Sequence, residues 1–260
     1  MTQPIQHLQG KFVWFEHVSA DPQKARAFYQ PLLGWHVENM PMGGQTYPMI
    51  LNGEQGIGGL RTAAAGEPAH WAGYLSVRDV DACFRAAVAA GATPLQPPTD
   101  FAPVGRGAAL RDPTGAPLWI WTDASGDRPD ADATATGDWY WNELWTPDAR
   151  KALAFYEAVF GYSHEAVNMG DQGDYLLLKS ADGKLRGGVF ENTNPEMAPM
   201  WLPYVAVADC DAVAAQARRL GALGEPMPPT DVPDVGRCAV LIDPQGAAVA
   251  VIKPTPMAGA

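Results

Sequence analysis

The polar and apolar positions follow one pattern, read several times along the chain. Phe12 to Val18 is apolar and aromatic, as a strand requires. Asp21-Pro22 places an N-cap residue before a proline and predicts a helix to about Leu33, stopped by Gly34. Short strands are predicted near Trp35–Asn39, Tyr47–Leu51 and Ile57–Arg61. A second round opens with a strand near Trp71–Val77. Its helix is capped by Asp79 or Asp81, runs through Ala90 and ends at Gly91. Strands near Ala92–Leu95, Gly107–Arg111 and Pro117–Thr122 close it, with a tight turn at Asp112-Pro113-Thr114-Gly115. Each round reads βαβββ.

The two rounds then recur as a pair. Phe12-Val13-Trp14-Phe15-Glu16 is matched by Trp139-Tyr140-Trp141-Asn142-Glu143, and Ala27-Phe28-Tyr29 by Ala154-Phe155-Tyr156. Gly34-Trp35 pairs with Gly161-Tyr162, Gly58-Gly59 with Gly187-Gly188, and Asp112-Pro113-Thr114-Gly115 with Asp243-Pro244-Gln245-Gly246. The offset drifts only between 127 and 131 positions. The chain is a tandem duplication of a domain of about 120 residues. Its halves are expected at 8–122 and 138–255. The segment 123–137, rich in Asp, Ala, Thr and Gly, is expected to be a solvated linker.

Composition narrows the function. Of the 260 residues 47% are hydrophobic and 18% charged, enough to bury a core. A net charge of −11 argues against nucleic-acid and anionic-membrane partners, which need basic patches. No apolar run reaches the roughly 18 residues of a membrane span. The first ten residues lack the apolar stretch of a signal peptide. Cys83, Cys210 and Cys238 lie far apart, which fits a reducing, cytoplasmic location without disulfides.

The order strand, Asp-Pro, helix ending in Phe-Tyr, Gly-aromatic step and later Asp-Pro-x-Gly resembles the vicinal oxygen chelate superfamily of glyoxalase I, bleomycin-resistance proteins and extradiol dioxygenases. Within it the chain resembles tandem two-domain glyoxalase-like proteins. The resemblance implies an α+β fold, four βαβββ units forming two cupped mixed β-sheets with helices on the outer faces. It also implies four metal-ligand places per half. Here they fall at Trp14, near Gly59, about Ala72 and at Trp119, then at Trp141, near Gly188, about Leu202 and at Ala250. None of these side chains can bind a first-row metal. The expectation is therefore no metal site and no cofactor.

Strand alternation assigns the cup faces. Trp14 and Glu16, Tyr74, Trp119 and Trp121 share one face in the first half. Trp139, Trp141, Glu143, Trp145 and Tyr204 share it in the second. The candidate ligand-binding residues are Trp14, Glu16, Tyr74, Trp119, Trp121, Trp141, Glu143 and Tyr204. Aromatic walls with a few polar groups suit a small aromatic or amphipathic molecule, and also suit plain core. Glu16 and Glu143 each admit two readings. One is a ligand anchor or general base, and the other a structural pair with Arg61, Arg106 or another donor. Arg106 and Arg237 are expected to pair with a carboxylate such as Glu16 or Asp112. His17 is expected in the core or at an edge. His70 with Glu16 is the sole remnant from which an atypical metal site could be assembled.

The expected function is a glyoxalase/bleomycin-resistance-like protein, monomer or homodimer, that binds a small molecule without the family metal. The alternatives are a lyase-, isomerase- or dioxygenase-like enzyme using Glu16 or Glu143 as general base or an atypical metal, and a scaffold with closed cups.

Overall fold

The computed structural model describes residues 5–42, 44–170, 173–192 and 194–255. The first half runs β1 (Phe12–Ser19), α1 (Pro22–Leu33), β2 (His36–Met42), β3 (Gln45–Asn52), β4 (Gln55–Thr62), β5 (His70–Ser76), α2 (Val80–Ala89), β6 (Thr93–Phe101), β7 (Gly105–Arg111) and β8 (Pro117–Asp123). The second half repeats it: β9 (Trp139–Thr146), α3 (Ala149–Phe160), β10 (Ser163–Asn168), β11 (Asp174–Lys179), β12 (Leu185–Glu191), β13 (Met200–Ala206), α4 (Cys210–Arg219), β14 (Gly224–Val232), β15 (Gly236–Ile242) and β16 (Ala248–Pro254). Each half forms one eight-stranded mixed sheet. Their orders are β2-β3-β4-β1-β5-β8-β7-β6 and β10-β11-β12-β9-β13-β16-β15-β14. The fold is α+β with a tandem arrangement, as the repeat implies.

Local chemistry sets the helix ends. Asp21 accepts from the amides of Gln23 and Lys24 at 3.0 and 3.3 Å, Pro22 opens α1, and Gly34 turns left-handed at φ 73° to close it. Asp148, Asp79 and Asp209 cap the other three helices in the same way.

One strand is longer than its sequence suggests. β6 continues to Phe101 through Pro94, Pro97 and Pro98. It is the outermost strand of its sheet, so a proline's missing N–H costs no ladder bond there. Register shifts fall at Pro94/Gln96 and Gln96/Thr99. β14 does the same with Pro226, Pro228 and Pro229.

The compact units cut across the repeat. Among the described residues, the first unit takes the chain up to Trp14 with 72–130 and 142–201. The second takes 15–71, 131–141 and the chain from 202 on. Each unit therefore joins one βαβββ run from each half. In the first, α2 packs on α3. Its core draws on Leu75, Cys83 and Ile120 from one half and Leu144, Leu153 and Phe155 from the other. In the second, α1 packs on α4.

A polar anchor sits in each core, and it explains two sequence motifs at once. In the first unit Tyr156, from Phe-Tyr, donates to Asp112 Oδ2 at 2.9 Å. Oδ1 of Asp112 gathers the amides of Thr114, Gly115 and Ala116. In the second unit Tyr29 donates to Asp243 Oδ2 at 3.0 Å, while the amides of Gln245 and Ala247 donate to Oδ1. The indole N–H of Trp201 or Trp71 completes each anchor by donating to the tyrosine hydroxyl. The Asp of Asp-Pro-x-Gly in one half thus receives the Tyr of Phe-Tyr from the other. Burial, and then the neighbouring Asp, push both phenols well above the ordinary tyrosine range. A hydrogen bond to a charged group contributes about 1.5–3 kcal/mol.

The segment after β8 is irregular and largely exposed, but it is fastened. Asp127 accepts from the Leu8 amide and the Ser76 hydroxyl, each at 2.5 Å, within the first unit. The Gly137 carbonyl accepts from Trp35 Nε1 at 2.7 Å within the second.

Candidate functional site

β1 and β9 carry equivalent sequences and meet different neighbours. In the second unit Glu16 is 5% exposed. Tyr47 donates to its Oε1 at 2.9 Å and Arg61 Nε to its Oε2 at 3.1 Å. Arg61 also grips Glu67 through both terminal nitrogens at 2.9 and 3.2 Å. Burial raises the Glu67 carboxyl, but Arg61 and the Ala64 amide outweigh it and hold the group below its ordinary value. The structural reading of Glu16 as a partner of Arg61 is realised.

Gly59 makes this arrangement possible. It pairs with Glu16 in the β1–β4 ladder, and a Cβ there would overlap the Tyr47 hydroxyl. The same device recurs in the first unit. Gly188 pairs with Glu143, and a Cβ on it would overlap the Tyr175 hydroxyl. Tyr47 and Tyr175 were absent from the sequence-derived candidates. Their 128-position spacing, equal within one to that of Gly59 and Gly188, is the signal that marks them.

Around Glu143 the rest differs. Trp145 Nε1 donates to Glu143 Oε2. Opposite Trp145 in the ladder stands Phe190, where the first half has Arg61 opposite Val18. The Trp145 and Phe190 rings lie 6.0 Å apart at 52°. Burial alternates along β9. Trp141, Glu143 and Trp145 are half-exposed, while Asn142, Leu144 and Thr146 are buried. The corresponding stretch of β1, from Phe15 to Ser19, is buried on both faces.

The other predicted aromatics of the first unit form a second surface. Tyr74 stacks on Trp119 at 5.1 Å and 5°, and Trp121 meets Tyr74 edge-on at 5.9 Å. Phe101, from the extension of β6, touches both tryptophans at 6.0 and 5.6 Å. Trp119 and Trp121 stay half-exposed, and Tyr74 is buried. Trp14, also of the first unit, is half-buried. Trp141 and Tyr204 belong to the second unit, where Tyr204 is buried opposite Ala250.

Several expectations are corrected. Trp139 does not face a cup. It joins Phe15, Trp35 and Trp71 in a buried aromatic cluster of the second unit, and its Nε1 donates to the Ile57 carbonyl at 2.8 Å. Arg106 reaches neither Glu16 nor Asp112 but pairs with Asp81 and Asp100, and Arg237 with Asp211 and Asp231. Each arginine faces its ladder partner, Asp100 or Asp231, across the edge hairpin and also meets a carboxylate of a first helical turn, Asp81 or Asp211. His17 lies in the core, one of the two places expected for it, fully buried with its Nε2 donating to Asp243 Oδ2 at 2.6 Å.

The metal implied by the superfamily finds no donor set. At the four ligand places of each half stand Trp, Gly, Ala or Leu. Among the described residues no group of three or more His, Cys, Asp or Glu is placed to hold a metal ion. His70 and Glu16 do not make a remnant site. His70 Nδ1 donates to the Pro68 carbonyl at 2.9 Å, and both Glu16 oxygens already accept within the protein. Burial lowers the His70 pKa, against the opposing effects of the Pro68 carbonyl and Glu67. A groove of about 460 Å³ opens elsewhere, at the β14–β15 end beside Asp234, Arg237 and Lys253. Its arginine is already paired, so it offers few convergent polar groups.

No helix of the described residues is long and apolar enough to cross a membrane. Comparison with known proteins gives the same picture of the fold. The family model for a glyoxalase-like domain matches residues 13–120. "Putative glyoxylase CFP32" of Mycobacterium bovis is 38% identical over 264 residues, spanning 98% of this chain and 99% of that protein. "Anthracycline biosynthesis protein DnrV" of Streptomyces peucetius is 34% identical over 135 residues, 46% of this chain and 48% of that one. Among solved structures, the Mn(II)-bound glyoxalase from Novosphingobium aromaticivorans superposes with a TM-score of 0.62 at 16% identity, covering 96% of this chain and 89% of that one. Homoprotocatechuate 2,3-dioxygenase from Arthrobacter globiformis gives 0.64 at 16% identity, covering 97% and 82%. With 38% identity over nearly its full length to one relative, this chain belongs to the glyoxalase-like family, and the solved structures share its fold.

Proposed function

We propose that the chain binds a small aromatic or amphipathic molecule on half-exposed aromatic faces of its sheets, without the metal used elsewhere in the superfamily. One observation carries this reading. β9 leaves Glu143 and Trp145 half-exposed side by side, while the places where relatives would coordinate a metal hold no donor. Flat indole faces beside a carboxylate offer stacking with one directional anchor. The Tyr74–Trp119–Trp121 surface offers stacking alone. Glu16 is a structural residue in this reading, because Arg61 and Tyr47 occupy both of its oxygens. The partner is a small molecule rather than nucleic acid or membrane, in keeping with a net charge of −11.

The test is a thermal-shift screen of aromatic compounds on protein whose metal content has been measured before and after chelation. Compounds that raise the melting temperature equally in both preparations, with less than about a tenth of an equivalent of metal, support the proposal. Binding that disappears on chelation and returns with a stoichiometric divalent ion overturns it. A proton-transfer enzyme using Glu143 is the second reading, favoured by the half-exposure of that carboxylate. Solvent deuterium entering a bound ketone or aldehyde, and lost in Glu143→Gln, distinguishes it.

A further inference from the structure

The last strands of the two halves carry different side chains on one face, and in the first unit they build a corner of rings. Trp119 and Trp121 of β8 stand where β16 has Ala250 and Ile252, and Phe101 of β6 stands where β14 has Val232. Ala250 and Ile252 are buried, whereas Trp119, Trp121 and Phe101 are half-exposed. The change is matched one strand over. Gly107 is the ladder partner of Trp121, and Cys238 that of Ile252. A Cβ on Gly107 would fall 2.6 Å from Trp121 Cε3, and one on Gly105 2.6 Å from its Cζ2. The benzo ring of Trp121 therefore lies across bare backbone of β7, and its half-exposure belongs to the side turned away from that strand. Trp119 stacks on Tyr74 within 5° of parallel, while Trp121 is inclined 75° to Tyr74. Trp119 thus stands nearly perpendicular to Trp121. Phe101 leans at 47° to Trp121 and 69° to Trp119.

We infer that Trp121, Trp119 and Phe101 form a site for a planar aromatic cation, a fused ring with its positive charge delocalised over it. The inference rests on the proposed binding function and names its ligand class. A flat ring laid on Trp121 turns its edge to the face of Trp119. These are the offset-stacked and edge-to-face geometries that ring quadrupoles favour. Positive charge in the ligand ring is drawn to the π-faces around it. The net charge of −11 raises the local concentration of cations and disfavours anions. The corner also sets limits. Its surfaces are rings and glycine backbone, and Arg106, between the two glycines, is turned to α2 and paired with Asp81 and Asp100. A compact ammonium would give up hydration there and gain no hydrogen bond from the rings. A delocalised cation is more weakly hydrated and loses less.

Four bicyclic probes test this by calorimetry on the full chain at pH 7 and 0.15 M salt: N-methylquinolinium, quinoline, quinoline-2-carboxylate and the saturated cation decahydroquinolinium. N-methylquinolinium is expected to bind about threefold or more tightly than quinoline. The carboxylate and the saturated cation should bind most weakly. Trp121→Ile, which installs the residue of the second half, should weaken N-methylquinolinium about tenfold, and Phe101→Val about threefold. Trp121→Phe keeps a ring over the glycines and should retain most of the binding, which guards against misfolding of the isoleucine variant. Equal affinity for quinoline and its methylated cation, or for the flat and saturated cations, overturns the ligand class and leaves the binding function standing. Full affinity in Trp121→Ile, or a loss in Trp121→Phe as large as in Trp121→Ile, overturns the site. No measurable binding of any of the four overturns this inference, and the compound screen then decides the binding function separately.

Discussion

Glu16 and Glu143 begin from the same place in a duplicated sequence and end in opposite circumstances. Each is mid-strand, each pairs with a glycine, and over each glycine lies a tyrosine hydroxyl. Glu16 is closed over by Arg61 and Tyr47. Glu143 stays half-exposed, bonded by the Trp145 indole. The halves differ at the ladder positions 61/190 and 18/145. A duplicated fold can therefore close one carboxylate over with its own arginine and leave the equivalent one half-exposed.

The comparison can be broken most forcefully at Arg61. Arg61→Met removes the guanidinium that bonds the buried Glu16, and should lower stability by about 2–3 kcal/mol in urea unfolding. This is less than for a fully buried pair, because Arg61 is about a third exposed. Phe190→Met, at the equivalent position, should cost about 1 kcal/mol. Equal losses would mean that Arg61 does not support Glu16.

The shared feature is tested next. Gly59→Ala and Gly188→Ala each push a Cβ into a tyrosine hydroxyl, and each should cost about 1–3 kcal/mol. A neutral result in only one of them would show that the two tyrosines are not equivalent.

The polar anchors sharpen the contrast further. His17 donates to Asp243 in the second unit, whereas the equivalent residue near Asp112 is Leu144. Burial raises the Asp243 carboxyl, but the bond and charge of His17 and the amides of Gln245 and Ala247 outweigh it, so the group is held below its ordinary value. A depressed carboxyl stabilises the fold above the unfolded-chain pKa, near about 4, and this contribution is lost as pH falls through the folded value. His17→Leu should cost about 1.5 kcal/mol at pH 7 and flatten the loss of stability on acidification below about pH 4. Melting curves from pH 7 to pH 2.5 read both effects. An unchanged acid limb would remove His17 from the account. The smallest effect is expected at Glu143. Glu143→Gln should change stability by less than about 1 kcal/mol, because a half-exposed carboxylate recovers solvent on losing its partners. A larger loss would make it structural, like Glu16.

Much of the architecture was legible in the sequence, because its signals are local. Asp-Pro before a helix, Gly after it and the 127–131 offset give four βαβββ units and their caps. The extension of β6 was hidden because Pro97-Pro98 argues against a strand unless the strand is known to be outermost. The face of Trp139 was misread for a related reason. At the first position of β9, alternation yields to whatever side chains surround it, and here those are Phe15, Trp35 and Trp71. Glu16 and Glu143 were found, but Arg61, which closes on Glu16, comes from a strand 45 residues away in sequence. Only the ladder register brings that partner into line. The joining of Phe-Tyr in one half to Asp-Pro-x-Gly in the other leaves no local trace at all.

That exchange also fixes an order of assembly. Tyr156 reaches Asp112 across 44 positions, whereas Tyr29 must wait for Asp243, 214 positions further on. Loop closure over the longer span costs about 1.4 kcal/mol more entropy. During synthesis the middle of the chain, through Trp201, carries the segments of the first unit before the last βαβββ run exists. The opening βαβββ run is made first and finished last, its Tyr29 without its acceptor Asp243 until the C-terminal hairpin emerges. For that interval the nascent chain is a folded centre flanked by an unfinished beginning, and a stop codon anywhere before Asp243 would make the interval permanent.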